Sequence, residues 1–231
     1  MTNGTAVRES PPNRASGLQP GVPIRLRGLL WNDYLAISDI IGDRRLLTSF
    51  GDGEMEILMP SAEHEIWLIL LGRLIEVLAS ELKMPLKSHG MSTFRREDLE
   101  KGLEPDRCYY LVNAPRVRGK LKIDLRVDPP PDLAFEIEIS RSADKRMPIY
   151  AGLRVPEVWR FDGDALTVNQ LVANGEYVTA TRSQFFPLLP QTELVRFLKM
   201  QAQLDDNELA DAFRAWVREQ IIQGWPANAT E

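Results

Sequence analysis

Two carboxylates stand inside a segment that otherwise asks to be buried: Leu133 to Ile139 reads Leu-Ala-Phe-Glu-Ile-Glu-Ile. Strand side chains alternate between faces, so Phe135, Ile137 and Ile139 are expected in a core while Ala134, Glu136 and Glu138 line the opposite face. Glu136 and Glu138 would lie side by side, about 7 Å apart. At that distance two carboxylates repel, and burying them requires a cation, a shared proton or basic side chains. A divalent metal is one answer. An amphipathic strand with its acidic face in water is another.

The rest of the chain bounds the choice. Its 231 residues are enough for one sizeable domain with a buried core. A net charge of −5 carries no global basic signal, so any contact with phosphates needs a local basic patch. The single cysteine, Cys108, sits in the apolar run Cys-Tyr-Tyr-Leu-Val and reads as a small buried thiol. The longest apolar candidate, Ile66 to Leu82, is interrupted by Arg73, Glu76 and Glu81 and is too short and too charged to span a membrane. With no signal-peptide core at the N-terminus, a cytoplasmic protein is expected.

Residues 1–23, rich in Pro, Gly, Ser, Asn and Arg, are expected to form a flexible tail, residues 24–185 the main domain and residues 186–231 a helical extension. Gly28 to Ile41 has near-helical spacing. Leu46–Phe50 and Met55–Met59 flank Gly51-Asp52-Gly53 as a hairpin. Ser61 is a good N-cap for a long helix to about Lys83, with Ile66, Ile69, Leu70, Leu74, Val77 and Leu78 as its apolar stripe and Pro85 as its stop. Strands are expected at about 86–95, 107–112, 121–127, 132–139, 156–161, 166–172 and 176–180, with a short helix between Ala143 and Gly152. Gln191–Gln203 and Asp206–Gly224 read as helices, the second amphipathic through Leu209, Phe213, Trp216, Val217 and Ile221. Together these elements imply an α/β layered fold.

Within that frame Glu104-Pro105-Asp106 leads into the apolar run from Cys108, which sets Asp106 at the start of a strand, thirty residues before Glu136. An acid at one strand start, an acid inside another strand and a following basic residue, here Lys145, is an order that can chelate Mg²⁺ beside a phosphate and activate water.

At this point the chain resembles the Uma-type endonuclease family, a branch of the PD-(D/E)xK restriction-endonuclease-like superfamily. The likeness runs from about Trp31 to Asp162. It is carried by Gly53-Glu54-Met55-Glu56-Ile57 with Pro60-Ser61-Ala62-Glu63-His64, by Gly102-Leu103-Glu104-Pro105-Asp106, by Pro130-Pro131-Asp132-Leu133 with Glu136-Ile137-Glu138-Ile139, and by Ile149-Tyr150 with Gly152 to Trp159. The resemblance implies a mixed central β-sheet flanked by helices, with extra helices at the C-terminus. It also implies a metal-dependent centre that hydrolyses phosphodiester bonds of nucleic acid, DNA in the first instance.

In that likeness Asp106 and Glu136 match the two acids that ligate Mg²⁺ or Mn²⁺, with the Ile137 carbonyl as a third donor. Glu56, Glu63 and His64 match supporting positions. For His64 a structural hydrogen bond is favoured over catalysis, because a helix N-terminus disfavours the imidazolium. The superfamily usually has Lys two residues after the second acid, and here Glu138 stands there. Glu138 cannot supply that positive charge. Lys145, or Arg146 beside it, would have to reach back from the following helix. On this reading Glu138 accepts a proton or supports the site, and Lys145 stabilises the phosphorane.

Basic surface for a phosphodiester chain is expected at Arg95, Arg96, Arg116, Arg118, Lys120 and Lys122. An alternative of another class is a catalytically inactive nuclease-like module that binds nucleic acid or protein. A third is an interaction protein whose C-terminal helix packs on a second copy as a homodimer, although Phe213 and Trp216 would equally close the monomer's own core.

Overall fold

The computed structural model describes residues 19–42, 44–90, 92–139 and 143–224. Most of the expected N-terminal tail, residues 1–18, lies outside the described residues. Within the remainder, the Gly21 amide donates to Met59 O at 2.7 Å, and the first strand begins at Ile24.

Two sheets form the frame. The first is antiparallel throughout, in the order β1 (Ile24–Arg27), β3 (Glu54–Leu58), β2 (Leu47–Gly51), β6 (Lys101–Leu103), β5 (Phe94–Arg96). The β2–β3 hairpin turns on Asp52-Gly53, both with positive φ (52° and 73°), the conformation a two-residue hairpin loop requires. Helix α1 (Trp31–Ile41) covers this sheet, with Trp31 and Tyr34 packed on Phe50 and Met55.

The second sheet is mixed, in the order β11 (Tyr177–Ala180), β10 (Leu166–Leu171), β9 (Glu157–Phe161), β8 (Leu133–Ile137), β7 (Arg107–Tyr110), β4 (Lys87–Ser88). Its one parallel pair, β8–β9, is joined through helix α3 (Met147–Gly152). A parallel pair needs such a crossover, and it carries the residues after β8 back over the sheet. The expected alternation holds: Leu133, Phe135 and Ile137 face one core, shared with helix α2 (Ala62–Glu81). Ala134 faces the other, with Cys108, Val158 and α3.

Helices α4 (Gln191–Lys199) and α5 (Asp206–Trp216), the latter continued by a wider π turn over Val217–Ile221, complete the α2 side. Phe213 stacks on Trp216 and packs edge-on to Phe197 within the same core as α2, so these aromatics close the chain's own interior.

Several expectations are corrected. Residues 121–127 form no strand. The Asp124 carbonyl accepts from Val127 N and Asp128 N, and its carboxylate accepts from Arg126 N, so local turn bonds replace a ladder. The expected strand at 86–95 divides into β4 and β5, which belong to different sheets. Strands β1 and β6 had not been anticipated. On α2, capped by Ser61 as expected, Ile66 and Ile69 are half exposed while Trp67, Leu71, Leu74 and Ile75 are buried. Ile66 and Ile69 share the face of Glu65, Arg73, Glu76 and Ser80, which is the side of the helix turned to solvent.

Candidate active site at the junction of the two sheets

The chain crosses from the first sheet to the second through Glu104-Pro105-Asp106, between β6 and β7. Arg107 pairs with Phe135 in the antiparallel register, and one step further sets Asp106 opposite Glu136. Directly opposed residues share a face, so the two acids expected to act together do converge. The bond from Ile137 N to Asp106 Oδ2, 2.7 Å, fixes the closure.

Both acids are buried: Asp106 is 3% exposed and Glu136 1%. The reading of an acidic face in water is therefore excluded for Glu136. Asp106 Oδ2 also lies 3.0 Å from His64 Nε2, which acts as the donor to a carboxylate that can only accept. His64 comes from the first turn of α2, where Ser61 caps its amide. Glu136 Oε1 meets Arg146 Nη2 at 2.8 Å and accepts from the Tyr150 hydroxyl. A basic side chain of the chain itself thus answers the charge that the strand buries.

Arg146 stands at the start of α3, is 2% exposed, and donates from Nη2 to the Glu104 carbonyl. Burial disfavours its charge, but Glu136 foremost, with Tyr150 and Asp106, raises its pKa above the usual arginine value. Burial and then the Glu136 charge push the Tyr150 phenol well up. Tyr150 had no role in the sequence reading, and Arg146 only an optional one. Their four-residue spacing, which stacks them on one helix face, was the available signal.

The remaining candidates disperse. Glu138 shares the face of Glu136, but its Oε1 accepts from Arg160 Nε (3.0 Å) and Nη2 (2.8 Å) and from the Ala143 amide. Lys145 reaches Glu54 rather than Glu136, with Nζ–Oε1 at 2.6 Å. Lys145, then Arg27, holds the Glu54 carboxyl below its ordinary range. Glu56 is buried and paired with Arg25 at 3.0 Å, whereas Glu63 is exposed on the first turn of α2. A cleft of about 260 Å³ lined by Asp52, Glu54, Glu56, Lys145 and Arg146 reaches the acid pair only through Arg146, since neither Asp106 nor Glu136 is in its lining.

Among the basic candidates, Arg95 lies over the Tyr34 ring, 5.4 Å from its centroid, and Arg96 pairs with Asp98 at 2.6 Å. Arg116, Arg118 and Lys120 follow the C-terminal end of β7, whereas Asp106 precedes its start, so they leave opposite ends of that strand. Lys120 pairs with Asp128. Asp132, prominent in the motif, accepts from Leu111 N, Asn113 N and Asn113 Nδ2 at 2.6–2.9 Å and pins the turn after β7.

Among the described residues no group of three or more His, Cys, Asp and Glu side chains could hold a metal ion. Two carboxylates are nonetheless a sufficient protein donor set for Mg²⁺, which keeps waters and takes its remaining oxygens from a phosphate. The hard-oxygen chemistry of Asp106 and Glu136 fits such an ion, provided that Glu136 yields its contact with Arg146.

The fold is mixed α/β, two sheets with helices packed on them. Residues 31–207 match the profile of the Uma2 family, described as "Putative restriction endonuclease", and the chain belongs to that family. Among solved structures it is similar to one described as a putative nuclease belonging to DUF820 from Anabaena variabilis ATCC 29413. That likeness has 14% identity and a TM-score of 0.47, over 80% of this chain and 99% of that one. No curated protein matches. No helix among the described residues is long and apolar enough to cross a membrane.

Proposed function

We propose that this chain is a cytoplasmic, metal-dependent endonuclease that hydrolyses phosphodiester bonds of nucleic acid, DNA first, through a centre built on Asp106 and Glu136. The observation that carries the reading is the convergence of those two buried acids with Arg146 in a chain of the Uma2 family. Mg²⁺ or Mn²⁺ held by Asp106 and Glu136 would polarise a phosphate oxygen and lower the pKa of the attacking water.

The chain's own groups prepare that event. His64 orients Asp106, and Tyr150 orients Glu136. Arg146, which now pairs with Glu136, would offer its guanidinium fork to phosphate oxygens if Glu136 turned to an ion. Lys145 adds positive charge at the rim of the same cleft. Glu138, tied to Arg160, supports the site from behind, one of the two roles the sequence left to it.

A second reading has its own support: the Arg146 guanidinium itself supplies a counter-charge to Glu136, as a nuclease-like module that binds nucleic acid or protein without cleaving would require. Calorimetric titration of Mn²⁺ into the wild type and into Asp106→Asn/Glu136→Gln separates the two. Binding lost in the double variant, together with Mn²⁺-dependent cleavage of DNA or RNA by the wild type, supports the endonuclease. Equal, negligible binding in both proteins and no cleavage would leave the binding module.

A further inference from the structure

Pro148 on α3 lies between two open grooves of opposite character. On one side is the cleft at Arg146, with Asp52, Glu54 and Glu56 in its lining. On the other is a groove of about 510 Å³ lined by Arg96, Leu99, Lys101, Ala151, Gly152, Arg154 and Gly175, with no acidic side chain. In a chain of net charge −5, a groove lined by three cations, of which only Arg96 has an acidic partner among the described residues, is a local reversal of sign.

Arg96 is paired with Asp98 at 2.6 Å, but the other two cations have no acidic partner among the described residues. Lys101 lies across Gly152, where an added Cβ would come within 2.7 Å of its Cδ, and its Nζ donates to the Pro148 carbonyl at 3.1 Å, a neutral acceptor. Among the described residues neither Lys101 nor Arg154 forms an ion pair, and Arg154 is exposed. Its backbone is also unusual. Helix α3 ends with Val155 N bonded to Tyr150 O and Arg154 N bonded to Ala151 O, the pattern whose left-handed residue is ordinarily glycine. Arg154 takes that place at φ 63°. Left-handed backbone of this kind is strained for any residue other than glycine.

We infer that this groove is the track for the phosphodiester backbone: Lys101 and Arg154, with Arg96, hold successive phosphates and lead the strand past Pro148 to the cleft at Arg146. The inference rests on the endonuclease reading and adds to it where the polymer lies. It moves the interface away from the Arg116–Lys120 stretch that the sequence suggested. The cleft's two cations, Lys145 and Arg146, are already engaged by Glu54 and Glu136, so further binding energy has to come from outside it, and the groove is an adjoining surface with unpaired cations.

The test uses the full chain in EDTA, with fluorescence anisotropy of labelled single-stranded DNA, duplex DNA and RNA measured over a range of salt. Lys101→Gln/Arg154→Gln is compared with Arg116→Gln/Arg118→Gln, each checked by thermal melting. Loss of two phosphate contacts should weaken binding at 0.1 M salt by at least about tenfold and flatten the slope of log K against log salt by between about 1.4 and 1.8. The arm bound most tightly names the polymer. Unchanged affinity and slope in the Lys101/Arg154 variant, or their loss only in the Arg116/Arg118 variant, overturns the groove. No nucleic-acid binding by the wild type sinks the groove and the endonuclease reading together. Groove-dependent binding without cleavage under Mg²⁺ or Mn²⁺ keeps the inference and removes only the endonuclease.

Discussion

The guanidinium of Arg146 lies 2.8 Å from the carboxylate of Glu136, with both side chains at or below 2% exposure. Removing one partner of such a pair strands a buried charge, which typically costs about 3–5 kcal/mol. Arg146→Met should lower stability by that amount in denaturant melts, and Arg146→Lys by less. If a divalent ion can replace the guanidinium at Glu136, millimolar Mn²⁺ will raise the Tm of Arg146→Met more than that of the wild type. Equal shifts in both proteins would count against any metal at Glu136.

Asp106 has a structural duty as well as its proposed catalytic one, since it accepts from Ile137 N and meets His64. Alanine there leaves a buried amide without its acceptor, at a cost of about 1–3 kcal/mol. Asp106→Asn keeps an acceptor and removes the charge. The asparagine variant is expected to melt within about 1 kcal/mol of the wild type and to lose cleavage completely. Retained cleavage in that protein would remove Asp106 from the reaction.

The Cys108 thiol is fully buried, and burial pushes its pKa up from 9.0 to about 12. The unfolded chain therefore releases this proton at lower pH than the folded one. The stability tied to the proton is fully present below pH 9 and is lost as pH rises toward 12, at about 1.4 kcal/mol per pH unit. Urea melts from pH 8 to 11 should show that decline, and a Cys108→Ala protein, lower in absolute stability, should decline less steeply. Parallel slopes in the two proteins would refute the assignment.

Glu157, 0% exposed, accepts from Trp159 Nε1 (2.6 Å), Gln184 N (2.8 Å), Gln170 Nε2 (3.0 Å) and Ser183 Oγ. Those bonds fasten the segment after β11 to the sheet. Glu157→Gln replaces one acceptor oxygen by a donor and should cost about 2–3 kcal/mol. Amide exchange should speed up at Gln184 to Phe186 before it does in β8.

Arg154 offers a test in which stability and binding move in opposite directions. Glycine at its left-handed position relieves about 1 kcal/mol of backbone strain, so Arg154→Gly should raise the melting temperature. The same variant should bind nucleic acid more weakly. A protein both more stable and unimpaired in binding would mean that the arginine serves neither.

Local rules were enough for the features that local physics controls. The two-residue periodicity of Leu133 to Ile137 determined which side chains share a face, Ser61 determined where α2 begins, and Asp52-Gly53 determined the first hairpin. These depend on steric and hydrogen-bonding preferences within a few residues. The burial of Glu136 was different, because it depends on α3 and the first sheet covering a face that the strand itself leaves open. So was the identity of its counter-charge. Lys145 and Arg146 are adjacent in sequence, but the β8–α3–β9 crossover sends one to Glu54 at the cleft rim and turns the other inward to Glu136. On α2, by contrast, the outward face was legible, because Ile66 and Ile69 share the helical spacing of Glu65, Arg73, Glu76 and Ser80, while Trp67 and Leu71 lie on the side that the sheet and α4–α5 cover. A side chain's class is written in the sequence, but its partner depends on how distant segments are brought together, and electrostatic pairing inside a protein is set by that proximity.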